Sequence, residues 1–254
     1  MLQRLLRPAV LTALVALTAA PAFAVTIFQE DFNGYTSFPS QNPSGDFVNL
    51  GLPKPSEGSS ETWYGIRFEN SGESVSSIDN DLFVQKCGDF VGSNCHLASG
   101  SGNKTPVGRF EDDAGIMLKI STVGFENVTL NFDWRTFGAE STDRFRVGYY
   151  AAPSPIPLTT IGGSGYANLS ASYSWSSTWT QLFSGGATAP FQAGPTLNLP
   201  GGVEHLYVVF WLDNGEGDNG KVDNVVIQGD VVPEPAAALL LLAPLGWLIA
   251  RRSH

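Results

Sequence analysis

The sequence predicts an all-β protein, a β-sandwich of jelly-roll type, flanked by an N-terminal signal helix and a short C-terminal transmembrane helix. Many short segments alternate apolar and polar residues, as half-buried strands do. Turn-forming residues separate these segments, and the 254-residue chain contains 28 Gly and 16 Pro. We therefore divide the chain into a signal segment, 1–24, a sandwich domain, 25–230, and a C-terminal segment, 231–254.

The alternation is clearest in 127–137, where the apolar and polar residues face opposite ways. Segment 143–149 repeats this pattern and places Asp143 at the exposed start of a strand. Segment 204–212 is apolar on nearly both faces, which is typical of a central strand. The Gly-rich segment 215–220 predicts a hairpin turn into the next strand. The remaining predicted strands are 26–32, 82–86, 107–111, 116–121, 179–184 and 221–227.

The N-terminal segment has the features of a cleaved secretory signal. Two arginines precede the apolar stretch 8–20, and an Ala-Phe-Ala site ends at Ala24. An apolar stretch of 13 residues is too short to span a bilayer comfortably. We therefore expect export through the Sec machinery and cleavage after Ala24.

The C-terminal segment predicts a marginal membrane helix. The 15 apolar residues 236–250 reach about 22 Å as a helix, against a hydrocarbon core of about 30 Å. Because arginine resists translocation, the basic tail stays cytoplasmic and residues 25–230 lie on the other side of the membrane.

This segment combines Pro233-Glu234-Pro235, a short Leu/Ala-rich helix and Arg251-Arg252. It resembles the PEP-CTERM sorting signal of Gram-negative bacteria. The resemblance implies that the inner-membrane protein is an intermediate, which an exosortase cleaves near the tripeptide and delivers to the cell surface or the extracellular matrix of a biofilm. The alternative is an ordinary anchor, which would leave a permanently membrane-anchored binding protein.

Charge limits the partners of the sandwich domain. Without the four terminal arginines and Glu234, 10 Lys+Arg stand against 23 Asp+Glu, a net charge of −13. This charge excludes a nucleic-acid partner and favours cation binding. An acidic matrix polymer would need a bridging cation.

Cys87 and Cys95, the two cysteines of the chain, predict a disulfide because the protein is expected to be exported. A metal site would need a further soft ligand, and only His96 is close in sequence. The sequence contains no nucleophile elbow, zinc-protease motif or phosphate loop, so we expect no enzymatic activity. The rival interpretation is a polysaccharide hydrolase or lyase that uses two carboxylates from distant strands.

Acidic residues on the first and last strands suggest a structural calcium ion. Glu30, Asp31 and Asp223 lie in segments that resemble the ends of lectin-like jelly-roll domains such as carbohydrate-binding modules. In those families the first and last strands lie together and often hold Ca²⁺, which prefers oxygen ligands. The alternative is that the three carboxylates are simply solvated; no other cofactor is expected.

Four aromatic residues among small polar ones offer a ligand-binding surface: Tyr166, Tyr173, Trp175 and Trp179. Aromatic faces can stack on sugar rings, while Ser and Asn donate adaptable hydrogen bonds. The even spacing of the last three also fits a strand whose aromatic side chains pack in the core. Together these patterns predict an exported surface or matrix protein with a non-enzymatic binding or structural domain and exopolysaccharide as its partner.

Overall fold

The computed structural model describes residues 23–32, 47–49, 54–55, 61–67, 82–85, 96–97, 104–105, 107–111, 114–156, 166–168, 175–188, 190–213 and 219–232. In chain order the elements are β1 (Ala24–Glu30), β2 (Phe47–Asn49), β3 (Lys54–Pro55), β4 (Thr62–Arg67), β5 (Leu82–Gln85), β6 (His96–Leu97), β7 (Lys104–Thr105), β8 (Val107–Glu111), β9 (Ala114–Ile120), β10 (Phe125–Phe137), β11 (Arg144–Ala152), β12 (Tyr166–Asn168), α1 (Trp175–Thr178), β13 (Thr180–Gly185), β14 (Gln192–Ala193), β15 (Leu197–Asn198), β16 (His205–Asp213) and β17 (Asn219–Val231).

The strands form two sheets that pack face to face. The eight-stranded sheet has the order β14-β10-β17-β8-β5-β2, with β15 on β10 and β1 on β17. The seven-stranded sheet has the order β12-β4-β9-β16-β11-β13, with β3 on β4, and β6 pairs with β7 separately. The strand pairs are antiparallel except for β12 with β4. The predicted all-β sandwich is thus confirmed as two mostly antiparallel sheets.

Alternate residues of both sheets fill the space between them. Along β10, Val128, Leu130, Phe132 and Trp134 are all buried in the main core, as the alternation predicted. Strand β16 lies between β9 and β11 and is buried on both faces from Leu206 to Leu212. Its prediction as a central strand is therefore confirmed.

A buried carboxylate connects the two sheets. Glu30, the last residue of β1, is 1% exposed and accepts hydrogen bonds from the backbone N–H of Phe32 at 2.8 Å and from Nε1 of Trp63 at 3.3 Å. Trp63 belongs to β4 in the opposite sheet and is fully buried. The aromatic rings of Phe28, Phe32 and Phe210 surround it, with centroids at 5.5, 6.0 and 6.4 Å. Phe32 has φ +55°, a left-handed conformation that the hydrogen bond to Glu30 helps to hold.

Two β-bulges bend the long β10–β17 ladder. The register shifts between Glu126 and Thr129 and again between Asn131 and Asp133. Asn127 and Asn224 adopt positive φ at these places, 50° and 48°. Each asparagine also donates from its side-chain amide to an aspartate across the ladder, Asn127 to Asp230 at 3.0 Å and Asn224 to Asp133 at 2.8 Å. These amide–carboxylate hydrogen bonds fix the position of the additional residue in each bulge and so the place where the sheet bends.

Two local expectations are wrong. Asp143 is 4% exposed rather than solvated, because its carboxylate accepts hydrogen bonds from the Glu140 N–H at 2.6 Å and the Thr142 hydroxyl at 3.3 Å. Strands β16 and β17 do not form a hairpin, because β16 belongs to the seven-stranded sheet and β17 to the eight-stranded one. The connection between them therefore crosses from one sheet to the other.

The expected terminal helices and the Cys87–Cys95 disulfide lie outside the described residues, where they stay predictions. Ala24 is the first residue of β1 and lies opposite Asp230 of β17. Within the described parts of the chain, no helix is long and apolar enough to cross a membrane.

We expect Glu30→Ala to lower the free energy of unfolding by about 2–4 kcal/mol, because it leaves two buried N–H groups without this acceptor and opens a cavity. The matched control is Glu126→Ala, which removes an exposed carboxylate and should change stability by less than about 0.5 kcal/mol. Denaturant unfolding of both variants measures the difference; equal stabilities would show that Glu30 does not join the sheets.

Candidate functional site

The outer face of the seven-stranded sheet, the side away from the core, carries a second apolar cluster. Its buried members include Met117 on β9, Tyr207, Val209 and Trp211 on β16, and Trp179 just before β13. Half-buried Tyr64, Tyr150 and Trp175 pack against them. Since Met117, Tyr207, Val209 and Trp211 are almost fully buried, this part of the outer face is covered by the protein itself, and it is the half-buried aromatic residues that remain accessible to a ligand.

Three tryptophans pack together on this face. Trp175 stacks on Trp179 with a centroid distance of 6.4 Å and 13° between the planes, and it lies 5.1 Å from the Trp211 ring. It rests directly on the sheet over Gly148, where a Cβ atom would come within 2.6 Å of the indole. Tyr150 extends the group, 6.0 Å from Trp179. The ring of Trp175 is thus held in place by these contacts while the residue remains only half-buried.

Polar groups border the tryptophans. The guanidinium of Arg146 lies over the Trp211 ring at 5.5 Å, pairs with the carboxylate of Asp213 through Nε at 2.8 Å and through Nη2, and donates from Nη1 to Oε1 of Gln181 at 2.6 Å. The same Gln181 oxygen accepts from Nε1 of Trp175 at 3.3 Å. Arg146 and Asp213 remain 24% and 31% exposed, so both can reach a ligand.

We name this group the tryptophan platform; it consists of Arg146, Tyr150, Trp175, Trp179, Gln181, Trp211 and Asp213. The expectation of a strand is wrong for Trp175, which opens the short helix α1, and Trp179 follows this helix. Burial is as expected for Trp179, which is 7% exposed, but in the second apolar cluster on the outer face rather than between the sheets. Tyr166 contributes backbone to β12, and Tyr173 lies outside the described residues, so their role in binding stays a prediction.

The sequence reasoning missed Arg146, Tyr150 and Trp211. All three side chains lie on the outer face of β11 or β16, and they alternate along these strands with core residues such as Phe145 and Phe210. The sequence signal that could have revealed them was the apolar character of both faces of β16. Since the outer face of this strand is apolar too, other residues must cover it.

A depression of about 480 Å³ lies at one end of the same face. Three neighbouring strands contribute to it: Glu61 and Tyr64 come from the start of β4, Lys119, Ile120 and Ser121 from the end of β9, and Glu204 and His205 from the start of β16. It therefore combines two carboxylates, an ammonium, an imidazole and one aromatic ring.

Burial raises the pKa of Glu61 above its ordinary value of 4.5, and nearby Lys119 partly opposes this rise. The cause is desolvation, which disfavours the charged form of a carboxyl group. At the opposite wall, Nδ1 of His205 is buried without a hydrogen-bond partner among the described residues. The depression therefore contains one buried polar atom, Nδ1 of His205, for which a ligand could supply the missing partner.

The three proposed calcium ligands are not brought together. Glu30 points into the core, where Phe32 and Trp63 donate to it, and Asp223 is 1% exposed and accepts from the Asn224 N–H at 2.8 Å. The expectation that they are solvated is thus also wrong for these two, while Asp31 is half-buried. Throughout the described residues, no three or more His, Cys, Asp or Glu side chains are grouped so as to hold a metal ion.

Comparisons with known proteins find distant similarity to solved structures. No protein-family model and no curated protein matches the chain, so the sorting-signal resemblance remains a prediction. Among solved structures, a family 29 carbohydrate-binding module is similar at 13% identity and a TM-score of 0.30, covering 66% of this chain and 88% of that one. A variant of such a module complexed with mannohexaose is 13% identical with a TM-score of 0.29, and the match covers 66% of this chain and 92% of that one. A family 16 carbohydrate-binding module is 10% identical with a TM-score of 0.32, and the match covers 58% of this chain and 84% of that one.

The raised pKa of Glu61 makes the stability of the protein depend on pH. Since the folded state binds this proton more readily than the unfolded chain, the contribution of Glu61 to stability is full below pH 4.5 and is lost as pH rises through the raised folded pKa. Relative to Glu61→Gln, the wild type should therefore become less stable from acidic to neutral pH. Melting temperatures across this range test the effect, with Glu204→Gln as the control from the same depression; parallel curves for wild type and Glu61→Gln would contradict it.

Proposed function

We propose that this protein is an exported, exosortase-sorted surface or matrix protein whose jelly-roll sandwich is a non-catalytic glycan-binding module. The glycan lies on the outer face of the seven-stranded sheet, against the tryptophan platform. The single observation that carries this proposal is the half-buried side chain of Trp175, whose indole contacts Gly148 and lies beside Trp211.

Such a ring suits a sugar. The carbon-bound hydrogens of a pyranose form an apolar face that can pack on an indole, while its hydroxyls need donors and acceptors at the rim. Arg146 and the side-chain amide of Gln181 supply donors there, and Asp213 supplies an acceptor, all within the same hydrogen-bonded group.

Pre-organisation supports binding rather than mere packing. The contacts of Trp175 with the sheet, with Trp179 and with Gln181 restrain its rotamer before a ligand arrives. A ligand therefore does not bear the entropy cost of ordering this side chain, which lowers the free-energy cost of binding.

The position of the two ends agrees with the proposed sorting. Ala24 and Asp230 lie opposite each other on β1 and β17, so the start of β1 and the end of β17 lie at the same end of the sandwich. Pro233-Glu234-Pro235 follows almost directly after β17 ends at Val231. One membrane can therefore hold the precursor at both ends while the opposite end of the sandwich stays accessible.

Replacing Trp175 by Ala should weaken glycan binding about fivefold or more, because stacking on one aromatic ring contributes on the order of 1 kcal/mol or more. Phe191→Ala is the matched control, since Phe191 is also a half-buried aromatic residue, but it lies against Arg135 on the other side of the molecule. Calorimetry with the host exopolysaccharide and a panel of neutral oligosaccharides gives the affinities, and chromatography checks that the sugars are recovered uncleaved. Binding that is insensitive to Trp175, or cleaved sugars, would contradict the proposal.

Replacing Pro233, Glu234 and Pro235 together by Ala should trap the protein in the inner membrane, because the exosortase would lose its recognition sequence. Cell fractionation with an antibody to the sandwich domain measures the distribution. Arg4→Lys, which keeps the charge of the N-terminal signal, is the control and should leave sorting unchanged. Normal surface delivery of the triple variant would argue against exosortase sorting and leave the glycan-binding proposal intact.

A further inference from the structure

We propose that the depression at the end of the outer face is a subsite for an amine-bearing sugar unit, so that the preferred ligand is a glycan with free amino groups. This inference rests on the proposed glycan-binding function and specifies the chemistry of its ligand. It involves the residues around Glu61 and Glu204 rather than the tryptophan platform.

The depression is placed to act together with the platform. Tyr150, Tyr207 and Lys119 are paired in register across β11, β16 and β9, all with side chains on the outer face. Tyr150 belongs to the platform and Lys119 lines the depression, two strand spacings or about 10 Å apart. One oligosaccharide can thus contact the tryptophans with one unit and the depression with another.

The charges of the depression favour an ammonium group. Glu61 and Glu204 outnumber Lys119, giving a formal charge of −1 with His205 neutral. A carboxylate that is partly desolvated, as Glu61 is, gains more from a cation than a solvated one does. An ammonium also offers up to three N–H donors, which two carboxylates and the Ser121 hydroxyl can accept.

The charge of the whole domain points the same way. At −13, it repels an acidic polysaccharide unless cations bridge the two, and no metal-binding group occurs among the described residues. A glycan with protonated amines is attracted over long range and needs no bridging ion. Of the charged sugars, the amine-bearing class is therefore the one that this face fits.

The test compares two hexasaccharides of equal length, one of β-1,4-linked glucosamine and one of its N-acetylated form, at near-neutral pH and low salt. We expect the free-amine hexamer to bind the purified exported protein about tenfold more tightly, the effect of one charge-assisted hydrogen bond. Added salt should reduce this preference. Glu204→Gln and Glu61→Gln should each remove most of it, and Lys119→Gln should increase it by removing a repelling charge.

The matched control is Glu126→Gln, an exposed carboxylate on β10 in the other sheet. If Glu126→Gln weakens the free-amine preference as much as Glu204→Gln does, the attraction is a general charge effect and the subsite is refuted. Weaker binding of both hexamers to Lys119→Gln would likewise overturn it, since Lys119 would then be contacting the sugar.

The failures of the two proposals are distinguishable. Equal, Trp175-dependent affinity for the two hexamers would overturn the amine subsite and leave the glycan-binding module standing. Absence of binding to both hexamers and to the neutral panel would overturn the proposed function and the subsite together. A preference for the free amine that depends on Glu204 but not on Trp175 would keep the subsite and exclude the platform.

Discussion

The sandwich depends on one buried carboxylate that serves both sheets. Glu30 ends the first strand, and its two hydrogen bonds turn the chain at Phe32 and hold the indole of Trp63 in the facing sheet. A charge or a polar group at this depth is stable only if it is hydrogen-bonded, so the surrounding geometry has little freedom to change. The rings of Phe28, Phe32 and Phe210 close around the indole and exclude water from the contact. The first strand, the opposite sheet and the aromatic centre of the core are thus coupled by one side chain.

The two sheets differ in what their outer faces present. On the eight-stranded sheet, polar residues dominate beside the bulges, where Asn127 and Asn224 pair with aspartates across the ladder. On the seven-stranded sheet, the outer face is aromatic in its middle and charged at one end. Because β16 is apolar on both sides, it carries the main core on one face and supports the tryptophans on the other. The same strand therefore connects the stability of the domain to the surface proposed for binding.

Features that depend on the periodicity of apolar residues could be predicted from the sequence. Features that depend on contacts between distant parts of the chain could not. Strand β10 and the double-sided burial of β16 followed directly from the order of apolar residues. The buried states of Glu30 and Asp143 could not be foreseen, because each depends on donors brought in by folding. Trp175 and Trp179 had the even spacing of a strand, yet one helical turn places both on the outer face. The depression is made by three strand ends that are far apart in sequence, so no local pattern could indicate it.

The position of β17 has a consequence for how the protein is made. This last strand pairs with β10 along one edge and with both β8 and β1 along the other, and so it occupies the middle of its sheet. A nascent chain without its final segment cannot assemble this sheet, and long-range pairing of this kind is slow to form. Folding of this sheet must therefore wait until the C-terminal strand has been synthesised. Under the proposed sorting, a chain held at the membrane by its end would gain time to complete this pairing before release.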